Sequence, residues 1–365
     1  MPVHICHLTS VHSADDPRIF LKECRSLAHA GFKVTLIALR GTQGEFDGVA
    51  VKVLPFSGGR LKRMLQGTRQ IFRAAIGEDA DIYHFHDPEL LPTGVRLIKL
   101  GKRVIYDSHE DLPRQLKHKH YIPKLIAGFI AGRVEKFEDR HARRLSAIVT
   151  ATDHIRERFA RYHNTCITLR NYPRLDELSD VHGQPGTRTL CYIGSITESR
   201  GIRQMLDALH LVDAQLLLGG KFSPPALQQE ATLHPAWKKV TYLGFLNRDG
   251  VRSALAQSAI GLVPLHPSPG YSEALPVKMF EYMAAGIPVI TSDIPLWRQI
   301  LETNHCGSAV NVFDPRQFAD TINAYLSDPT RALNEGTSGR NAVLSTYNWE
   351  TEVVKLIELC KSLVR

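Results

Sequence analysis

Residues 272–290, SEALPVKMFEYMAAGIPVI, place two glutamates, Glu273 and Glu281, with seven residues between them. The composition predicts a helix that begins near Ala274 to Val277 and stops at Gly286. Unpaired backbone N–H groups at the start of a helix favour an anion. Because helical side chains lean toward the N-terminus, Glu281 can reach a group beside that anion. A carboxylate suits such a place where it accepts hydrogen bonds from the hydroxyls of a ribose or a sugar ring.

Two acids at this spacing also have an ordinary explanation. Glu281 would then be a solvated helix residue, and Glu273 a first-turn acid that the helix dipole stabilises. The two glutamates taken alone favour this explanation. A binding role therefore depends on what the rest of the chain places beside them.

Alternating strands and helices must position these residues. The chain begins with a strand at PVHICHLTS, a helix from about Pro17 to Ala30 and a strand at FKVTLIAL. The series continues through DIYHFHD, KRVIYDSHE, a helix at roughly 121–145 and SAIVTAT. A second series runs from TLCYIGSI through AQLLLGG, KVTYLGFL, IGLVPLHP and PVITSD. This order predicts an α/β protein with parallel sheets.

Two domains are expected, because 365 residues exceed the size at which a single core stops growing. Residues 171–188, NYPRLDELSDVHGQPGTR, are rich in Pro, Gly and Asp and are interpreted as a linker. The predicted domains are residues 1–172 and 185–345, and a last helix at about 349–365 is expected to pack back on the first. Ligands of such sheets bind outside the carboxyl ends of the strands.

The charge is uneven along the chain. Residues 1–170 carry 28 Lys and Arg against 18 Asp and Glu, a net charge of +10, and the remainder carry 17 against 19, a net charge of −2. This asymmetry suits a nucleic acid, an anionic membrane surface or a phosphorylated substrate, and a solvated basic face explains it equally well. The six scattered cysteines are typical of buried thiols in a reducing compartment. Without a signal peptide or a long apolar run, the chain is expected to be cytoplasmic.

Motifs exclude some classes of enzyme and site. Neither half carries G-x-G-x-x-G after a strand or G-x-x-x-x-G-K-[ST], which argues against a dinucleotide redox enzyme and a P-loop ATPase. DAD at residues 79–81 mimics a metal-binding D-x-D pair, but it precedes a strand, away from the ligand-binding edge. His84 and His86 share a strand face, yet no Cys or acid with matching spacing completes a zinc set.

Six segments in order resemble the retaining glycosyltransferases of family 4. They are HSADDPRIFLKECRSLAHAGFKVTLIA, ADIYHFHDPELLP, VIYDSHED, YIGSITESRGI, VTYLGFLNRDGV and YNWETEVVKLIELCKSL. In addition, SEALPVKMFEYMAAGIPVI is similar to the family's donor-site motif of two glutamates. The resemblance spans nearly the whole chain. It implies the GT-B fold, with two facing Rossmann-like doubly wound domains and an interdomain cleft, and a nucleoside-diphosphate sugar as the donor.

The resemblance implies roles for residues of the second half. Glu281 would bind the ribose of the nucleotide, and Glu273 would contact the donor sugar near the reacting carbon. Phe245 and Leu246, in the GFL turn, would meet the base. The residues implied around the donor diphosphate are Gly194, Ser195, Arg200, Ala274, Leu275 and Lys278. Ser195 stands where relatives usually carry an arginine, so Arg200 would carry more of the leaving-group charge, with help from Lys278.

The resemblance also implies a site in the first half. His109 follows the strand RVIYDS, where family members keep a histidine that faces the donor, and it is expected to act in catalysis with Glu273 and Arg200. The acceptor is expected to meet two turns at strand ends, through His12, Asp15, Asp16, Arg18, Asp87 and Glu89. The first of these turns lacks the paired glycines of many relatives, so its side chains are expected to set acceptor specificity.

The expected function is transfer of a hexose-type sugar, with retention, to a hydroxyl of a glycan, a lipid-linked saccharide or a small molecule, as in polysaccharide biosynthesis. No cofactor and no metal ion are expected in this front-face displacement. Residues 60–75 and 121–144 place Lys and Arg beside apolar positions, as an interfacial helix does, so peripheral binding to an anionic membrane is expected. Two alternatives are a sugar-nucleotide epimerase of the same fold and a basic nucleic-acid-binding protein, although no nucleic-acid motif occurs.

Overall fold

A computed structural model describes residues 2–117, 124–268 and 271–364. The chain divides into two compact units. Unit 1 is Met1–Asn171 with Trp349–Arg365, and unit 2 is Tyr172–Asn348. The chain therefore leaves unit 1, builds all of unit 2, and returns to unit 1 for its last helix.

Unit 1 contains one sheet of eight strands. They are β1 (His4–Leu8), β2 (Lys33–Ala38), β3 (Gly44–Phe46), β4 (Val49–Val53), β5 (Ile82–Phe85), β6 (Arg103–Ser108), β7 (Ala147–Thr150) and β8 (Cys166–Thr168). Their order across the sheet is β3-β4-β2-β1-β5-β6-β7-β8. All neighbouring pairs are parallel except β3 and β4. The α/β class predicted from the sequence is therefore confirmed for this unit.

Helices cover this sheet. They are α1 (Arg25–His29), α2 (Arg60–Lys62), α3 (Thr68–Glu78), α4 (Leu91–Lys99), α5 (Leu112–Lys117), α6 (Lys124–Ala142), α7 (Asp153–Ala160) and α16 (Trp349–Leu363), with wider helical turns at Pro17–Cys24 and Arg63–Gly67 and a tighter one at Pro88–Leu90. The predicted N-terminal helix is confirmed, since Pro17–Cys24 runs directly into α1. Of the helix predicted at 121–145, residues 121–123 lie outside the described residues. Among the described helices, none combines the length and apolar character needed to cross a bilayer.

The start of the first helix shows why it forms there. Asp16 precedes it, and its carboxylate accepts hydrogen bonds from the backbone N–H groups of Arg18 (2.9 Å) and Ile19 (3.0 Å). Pro17 occupies the first helical position, where a missing N–H costs nothing. The apolar side chains Ile19, Cys24 and Leu27 are buried against the sheet. Local capping and burial of one face therefore agree with the pattern read from the sequence.

Unit 2 contains six parallel strands. They are β9 (Thr189–Ile193), β10 (Gln215–Gly219), β11 (Val240–Gly244), β12 (Ile260–Val263), β13 (Val289–Ser292) and β14 (Gly307–Val310), in the order β11-β10-β9-β12-β13-β14. Its helices are α8 (Leu175–Leu178), α9 (Ile202–His210), α10 (Ala226–Thr232), α11 (Arg248–Ala256), α12 (Val277–Ala284), α13 (Pro295–Asn304), α14 (Pro315–Ser327) and α15 (Pro329–Ser345), with tighter turns at Glu198–Arg200 and Pro235–Lys239.

The predicted linker and the last helix each pack into the core of one unit. The stretch interpreted as a linker contributes Tyr172, Leu178 and Val181 to the buried core of unit 2, so it is part of that unit. Helix α16 buries Trp349 and Leu356 among the core residues of unit 1. The Trp349 indole N–H donates to the Ser26 hydroxyl at 2.9 Å, which satisfies its one polar atom.

Both sheets reverse their strand order at one place. In unit 1 the change lies between β1 and β5, and in unit 2 it lies between β9 and β12. At such a switch point the connections leave toward opposite faces, and a crevice opens outside the carboxyl ends of the two strands. The turns that follow β1 and β5, and those that follow β9 and β12, carry most of the predicted site residues.

Candidate active site

Glycines bring the backbone close together at the switch point of unit 2. The Gly194 N–H, just after β9, donates to the Gly219 carbonyl at 2.9 Å. A Cβ atom at Gly220 would lie 1.8 Å from the Gly194 carbonyl oxygen, so only glycine fits there. Gly201 has a φ of 81°, and a Cβ atom at this position would lie 2.1 Å from the Pro264 carbonyl oxygen after β12. The loops after β9 and β12 are therefore fixed against each other.

Lys278 lies in the first turn of α12 and points its ammonium group at this backbone. A Cβ atom at Gly194 would lie 2.7 Å from Lys278 Nζ and 3.8 Å from an Arg200 guanidinium nitrogen, so both predicted cations converge on Gly194. The Lys278 side chain is 8% exposed, and its Nζ has no hydrogen-bond partner among the described residues. It lies 3.6 Å from the centre of the Tyr192 ring. Burial and the nearby Arg200 hold the pKa of Lys278 well below its usual value.

This group of residues, Gly194, Arg200 and Lys278, is called the cationic crevice below. It combines a buried lysine amino group that has no hydrogen-bond partner among the described residues, a half-buried guanidinium and a glycine that leaves room beside both. An unpaired buried charge is costly, so a protein keeps one where an anion will join it. Lys278 lies in the first turn of α12, where backbone N–H groups without intrahelical partners also favour an anion. The crevice is therefore suited to an anion of more than one negative charge, such as a diphosphate.

Glu281 lies one turn further along α12, and the structure gives it a partner that the sequence did not reveal. Arg248, at the start of α11, donates from one guanidinium nitrogen to Glu281 Oε1 at 2.7 Å and from the other to Glu177. Glu281 is 13% exposed and Arg248 is 42% exposed. Arg248 therefore holds the Glu281 carboxylate. Although Arg248 lies in the segment VTYLGFLNRDGV, no spacing rule links it to Glu281.

The loop before α12 carries the other predicted donor residues. Glu273 is exposed, which leaves its carboxylate free to meet a ligand. The Ala274 carbonyl accepts a hydrogen bond from the Trp297 indole N–H at 2.7 Å. Leu275 packs partly against the unit 2 core. The loop is thus anchored on its inner side, while Glu273 remains at its surface.

The GFL turn lies at the end of β11, and strands β10 and β9 separate β11 from β12. Phe245 is 73% exposed, and Lys221 Nζ lies 4.9 Å from the centre of its ring. Leu246 packs close to Gly219, where a Cβ atom would lie 2.6 Å from the leucine side chain. The exposed ring of Phe245 can stack on a planar group, whereas Leu246 mainly fixes the turn. Ser195 is exposed, and its carbonyl accepts from the Tyr192 hydroxyl at 2.8 Å.

At the switch point of unit 1, Asp87 ties together the turns after β1 and β5. Its buried carboxylate accepts hydrogen bonds from the Thr9 hydroxyl (2.9 Å) and from the backbone N–H groups of Ser10 (2.6 Å) and Val11 (3.1 Å). Glu89 accepts from the Ser10 hydroxyl at 2.7 Å and pairs with Arg63 at 2.9 Å. Both acids, predicted to bind the acceptor, therefore already hold the protein's own groups.

His12 and Asp16 form a pair in the turn after β1. His12 Nδ1 lies 3.2 Å from Asp16 Oδ2, and this hydrogen bond raises the pKa of His12. Burial alone would raise the pKa of Asp16, but His12 and the N–H groups of the first helical turn lower it to about 2. Asp15 is exposed at the edge. This part of the predicted acceptor region is therefore charged and open.

Arg18 and His109 meet at Asp107. Arg18 is 6% exposed and donates to both Asp107 oxygens, at 3.2 and 3.1 Å. His109 Nε2 lies 3.1 Å from Asp107 Oδ2. Burial alone would raise the pKa of Asp107, but Arg18 and His109 keep it well below its usual value. The structure thus places Arg18 inside unit 1, whereas His109 reaches the edge of its sheet with its imidazole held by a carboxylate.

Two overlapping groups of described side chains in unit 1 have the composition of a metal site. One is His7, Glu23, His84 and His86, and the other is Glu23, His86, Asp107 and His109. Of these residues, the sequence singles out only His84 and His86, and no acid stands at a suitable spacing from them. Glu23 lies about sixty residues earlier in the chain, so a spacing rule could not have found it.

Comparison with known proteins gives the family. The family described as Glycosyltransferase Family 4 matches residues 18–168, and the family described as Glycosyl transferases group 1 matches residues 187–328. A phosphatidyl-myo-inositol mannosyltransferase of Mycobacterium leprae is 22% identical over 300 residues, which cover 80% of this chain and 75% of the relative. Spore coat protein SA of Bacillus subtilis is 24% identical over 197 residues, which cover 50% of this chain and 51% of that protein.

Solved structures show the same fold. Sucrose-phosphate synthase from Thermosynechococcus elongatus aligns with a TM-score of 0.76 and 17% identity, over 99% of each chain. Anabaena HepE in complex with UDP-glucose aligns with a TM-score of 0.75 and 13% identity, over 98% of this chain and 99% of that one. The expected GT-B fold with Rossmann-like sheets is confirmed. The chain belongs to the group 1 glycosyltransferases of the family-4 type and is a transferase enzyme.

Proposed function

We propose that this enzyme transfers a hexose-type sugar from a nucleoside-diphosphate sugar to a hydroxyl of a glycan, a lipid-linked saccharide or a small-molecule acceptor, with retention of anomeric configuration. The cationic crevice carries the proposal, because the Lys278 amino group, which no described residue hydrogen-bonds, and the guanidinium beside it suit a diphosphate. Support also comes from HepE, whose solved structures contain UDP and UDP-glucose. UDP is accordingly the first nucleotide to test.

In the proposed donor complex, each element of unit 2 has one task. Lys278 and Arg200 neutralise the diphosphate, and Glu281 exchanges its bond to Arg248 for the ribose hydroxyls. The exposed ring of Phe245 stacks on the base. Glu273 contacts the sugar near the reacting carbon. Positioning and electrostatic stabilisation then supply most of the rate, since the charge that develops on the leaving phosphate falls where both cations already lie.

The proposed reaction is a front-face displacement without a metal ion in the transfer step. The bond between the anomeric carbon and the phosphate oxygen breaks as the acceptor oxygen bonds to the same face of that carbon. The acceptor proton passes to the leaving phosphate, so the nucleoside diphosphate departs with the charge that Lys278 and Arg200 stabilise. His109, held by Asp107, is proposed to face the donor sugar. His12, Asp15 and Asp16 are proposed to contact the acceptor.

Glu281→Ala tests the donor site. A charged hydrogen bond contributes about 1.5–3 kcal/mol, so we expect this variant to bind UDP roughly 10-fold to 150-fold more weakly. Calorimetric titration of the folded variant and the wild type with UDP, GDP and ADP measures the change and identifies the preferred base. Incubation with the nucleotide sugar alone serves as a second readout, because an epimerase would convert the donor without an acceptor.

Glu177→Ala is the matched control. It removes the other carboxylate that Arg248 holds but leaves Glu281 in place, so UDP affinity should stay close to the wild-type value. Equal weakening in both variants would show that the loss comes from disturbing Arg248 rather than from a lost ribose contact. Unchanged affinity in Glu281→Ala would contradict the assignment of Glu281.

We also propose that unit 1 binds an anionic membrane surface, which would suit a lipid-linked acceptor. Leu61 and Leu65 are 77% and 63% exposed beside Arg60 and Lys62. On α6, Phe129 is 68% exposed, and several basic residues follow it along the helix. Apolar side chains that enter the interface, together with cations that meet acidic headgroups, are typical of a peripheral surface.

Co-sedimentation with vesicles tests this surface. We expect binding to phosphatidylglycerol-containing vesicles at low salt, weakening as salt is raised, and little binding to phosphatidylcholine alone. The double variant Arg60→Gln, Lys62→Gln should bind about 30-fold more weakly, at about 1 kcal/mol for each cation. Leu61→Glu should also weaken binding, whereas Leu233→Glu, at an 85% exposed position of unit 2, should not. Absence of binding at low salt would overturn the proposal.

A further inference from the structure

A cluster of buried polar side chains lies inside unit 1, near the carboxyl ends of β1 and β5. His7 on β1 is paired in register with His84 on β5, and His86 follows two residues later. Glu23 comes from the helical turn Pro17–Cys24, which packs over these strands. His7, Glu23 and His84 are completely buried, and His86 is 2% exposed. Four polar side chains therefore meet where an apolar core is expected.

Several polar atoms of this cluster have no hydrogen-bond partner in the part of the chain that the structure describes. They are His7 Nε2, both ring nitrogens of His84 and both carboxylate oxygens of Glu23. Arg18 Nε comes within 3.1 Å of Glu23 Oε1, but its N–H is directed at Asp107 Oδ2 at 3.4 Å. Each buried polar atom left unpaired costs about 1–3 kcal/mol. Five of them in one place indicate a partner that binds all three residues.

The geometry of the cluster fits a metal ion. One ligand atom from each of His7, Glu23, His84 and His86 lies within 4.8 Å of the others. Glu23 Oε2 is 3.8 Å from His84 Nδ1 and 3.9 Å from His86 Nε2. Ligand atoms of a tetrahedral zinc ion lie about 3.3 Å apart, because each bond is about 2.0–2.1 Å long. The separations reach up to 4.8 Å, so each ligand atom must move by up to about 0.8 Å to close the cluster around the ion, which side-chain rotation supplies.

Hydrogen bonds already orient the imidazoles as ligands. His7 Nδ1 lies 3.0 Å from His86 Nε2, and one proton must lie between these two nitrogens. When His7 Nδ1 carries that proton, His7 Nε2 presents a lone pair, and His86 acts as the outer partner that fixes the ring. His86 Nδ1 in turn lies 3.2 Å from His109 Nε2. Burial lowers the pKa values of His7 and His84, and neutral imidazole is the form that binds metals.

The overlapping group around Asp107 is less suitable. Arg18 already donates to both Asp107 oxygens, so that carboxylate has a cation and two hydrogen bonds. Glu23 also lies beside Arg18, but its carboxylate accepts no hydrogen bond from any residue that the structure describes. We therefore propose that unit 1 holds a divalent transition-metal ion, zinc in the first instance, through His7, Glu23 and His84, with His86 outside the ligand set as the hydrogen-bond partner that orients His7. Imidazole and carboxylate together are the donor set that such ions prefer.

This ion would be structural. The site is buried and lies in the interior of unit 1, and the proposed sugar transfer does not pass through it. Because ligands from β1, β5 and the first helix would converge on one ion, its binding free energy would add to the folding free energy of the unit. The inference is independent of the proposed donor and acceptor, so its test does not use activity.

The metal content of the purified protein tests the site. The full chain is produced in zinc-supplemented medium without a histidine tag, dialysed against metal-free buffer and measured by mass spectrometry of the metals. We expect about one zinc ion per chain, released to a chromogenic chelator only when guanidinium unfolds the protein, because a buried site exchanges slowly. Cobalt supplied instead of zinc should give the visible absorption of a Co²⁺ ion held by nitrogen and oxygen ligands of the protein.

Glu23→Gln keeps the size of the side chain and removes the anionic ligand, and we expect it to lose zinc by about 100-fold or more in affinity. His163→Gln is the matched control, since His163 is a buried histidine of unit 1 whose Nε2 faces the Leu145 carbonyl at 3.0 Å, outside the cluster. This control should retain the metal. If Glu23→Gln does not fold, His84→Gln and the wild-type metal content decide.

The alternative is a metal-free cluster. Burial and Asp107 raise the pKa of the Glu23 carboxyl well above its usual value, so a proton on Glu23 could replace the ion. Wild-type protein with less than about a tenth of a metal ion per chain, and with no rise in Tm on refolding with zinc or cobalt, would overturn the proposal. Metal retained equally by wild type and Glu23→Gln would place the ion elsewhere and overturn it too.

Discussion

Lys278→Met is expected to lower kcat for sugar transfer about 100-fold to 1,000-fold, the usual cost of removing one preorganised group that stabilises developing charge. The same variant should unfold at a higher denaturant concentration than the wild type. Lys278 Nζ is buried without a hydrogen-bond partner among the described residues, and methionine fills similar space without a charge to desolvate. Activity assays and urea titration measure the two effects, and their opposite signs separate a binding residue from a structural one.

Lys239→Met makes the same chemical change at a lysine that has partners. Lys239 Nζ donates to the carbonyls of Leu209 (3.0 Å) and Val212 (2.6 Å), so its loss should reduce the free energy of unfolding by about 1–3 kcal/mol and leave UDP affinity unchanged. Normal UDP affinity in Lys278→Met would contradict the assignment of the cationic crevice.

The pH dependence of UDP binding gives a further check on Lys278. Burial and Arg200 lower its pKa, so the free enzyme gives up this proton at a lower pH than an exposed lysine does. A bound diphosphate favours the ammonium form, and binding must therefore take up a proton once pH exceeds the lowered pKa. We expect affinity to fall as pH rises through this lowered pKa. The fall should be absent in Lys278→Met.

Arg158→Met is expected to reduce the free energy of unfolding by about 3–5 kcal/mol. Arg158 on α7 donates to Glu138 Oε2 on α6 at 2.6 Å, and the two side chains are 4% and 1% exposed. The Tyr106 hydroxyl donates to the other Glu138 oxygen at 2.7 Å. Removal of the guanidinium leaves a buried carboxylate with one neutral donor, which is the costly arrangement.

The deficit should depend on pH in a stated direction. Burial already raises the pKa of Glu138 above its usual value, and the loss of Arg158 raises it further. A group whose pKa is higher in the folded than in the unfolded protein stabilises the folded state at low pH. This contribution is lost as pH rises through the folded-state pKa. Urea titrations of Arg158→Met should therefore show a smaller deficit at pH 5 than at pH 8.

Two further variants separate the buried pair from a surface charge. Arg158→Met with Glu138→Leu should recover much of the loss, because no buried charge remains. Arg203→Met, which breaks an ion pair with Glu230 whose side chains are 49% and 55% exposed, should change stability by less than about 1 kcal/mol. Equal losses in Arg158→Met and Arg203→Met would contradict this account.

The sequence predicts what local pattern and sheet geometry control. The strands around both switch points, the first helix and α12 were predicted, because alternation and capping signals are local. Gly194, Arg200 and Lys278 could be predicted to lie together, since the ends of adjacent parallel strands share an edge. The strands β3, β4, β8 and β14 were not predicted. Three of them are short strands at the edge of a sheet, where few residues carry the alternation of apolar and polar side chains.

Pairing between distant residues could not be predicted. Arg248 meets Glu281 across 33 positions of sequence, and Glu23 reaches His84 from a different element, with no spacing rule for either contact. The zinc interpretation of His84 and His86 was set aside because no acid stood at a suitable spacing. Spacing along the chain reveals only local ligands, whereas the sheet register brings His7 beside His84. The roles of the predicted site residues remain predictions, and the variants above test those of Lys278 and Glu281.

The return of α16 to unit 1 bears on how the chain emerges from the ribosome. Unit 2 is one continuous run, and all of it has been synthesised before Trp349. Unit 1 begins first, yet Trp349, Leu356 and Leu359 of its core are made last. Its sheet must therefore wait, with an uncovered apolar face, while unit 2 is completed. The nascent protein needs protection from aggregation longest for the half that is translated first.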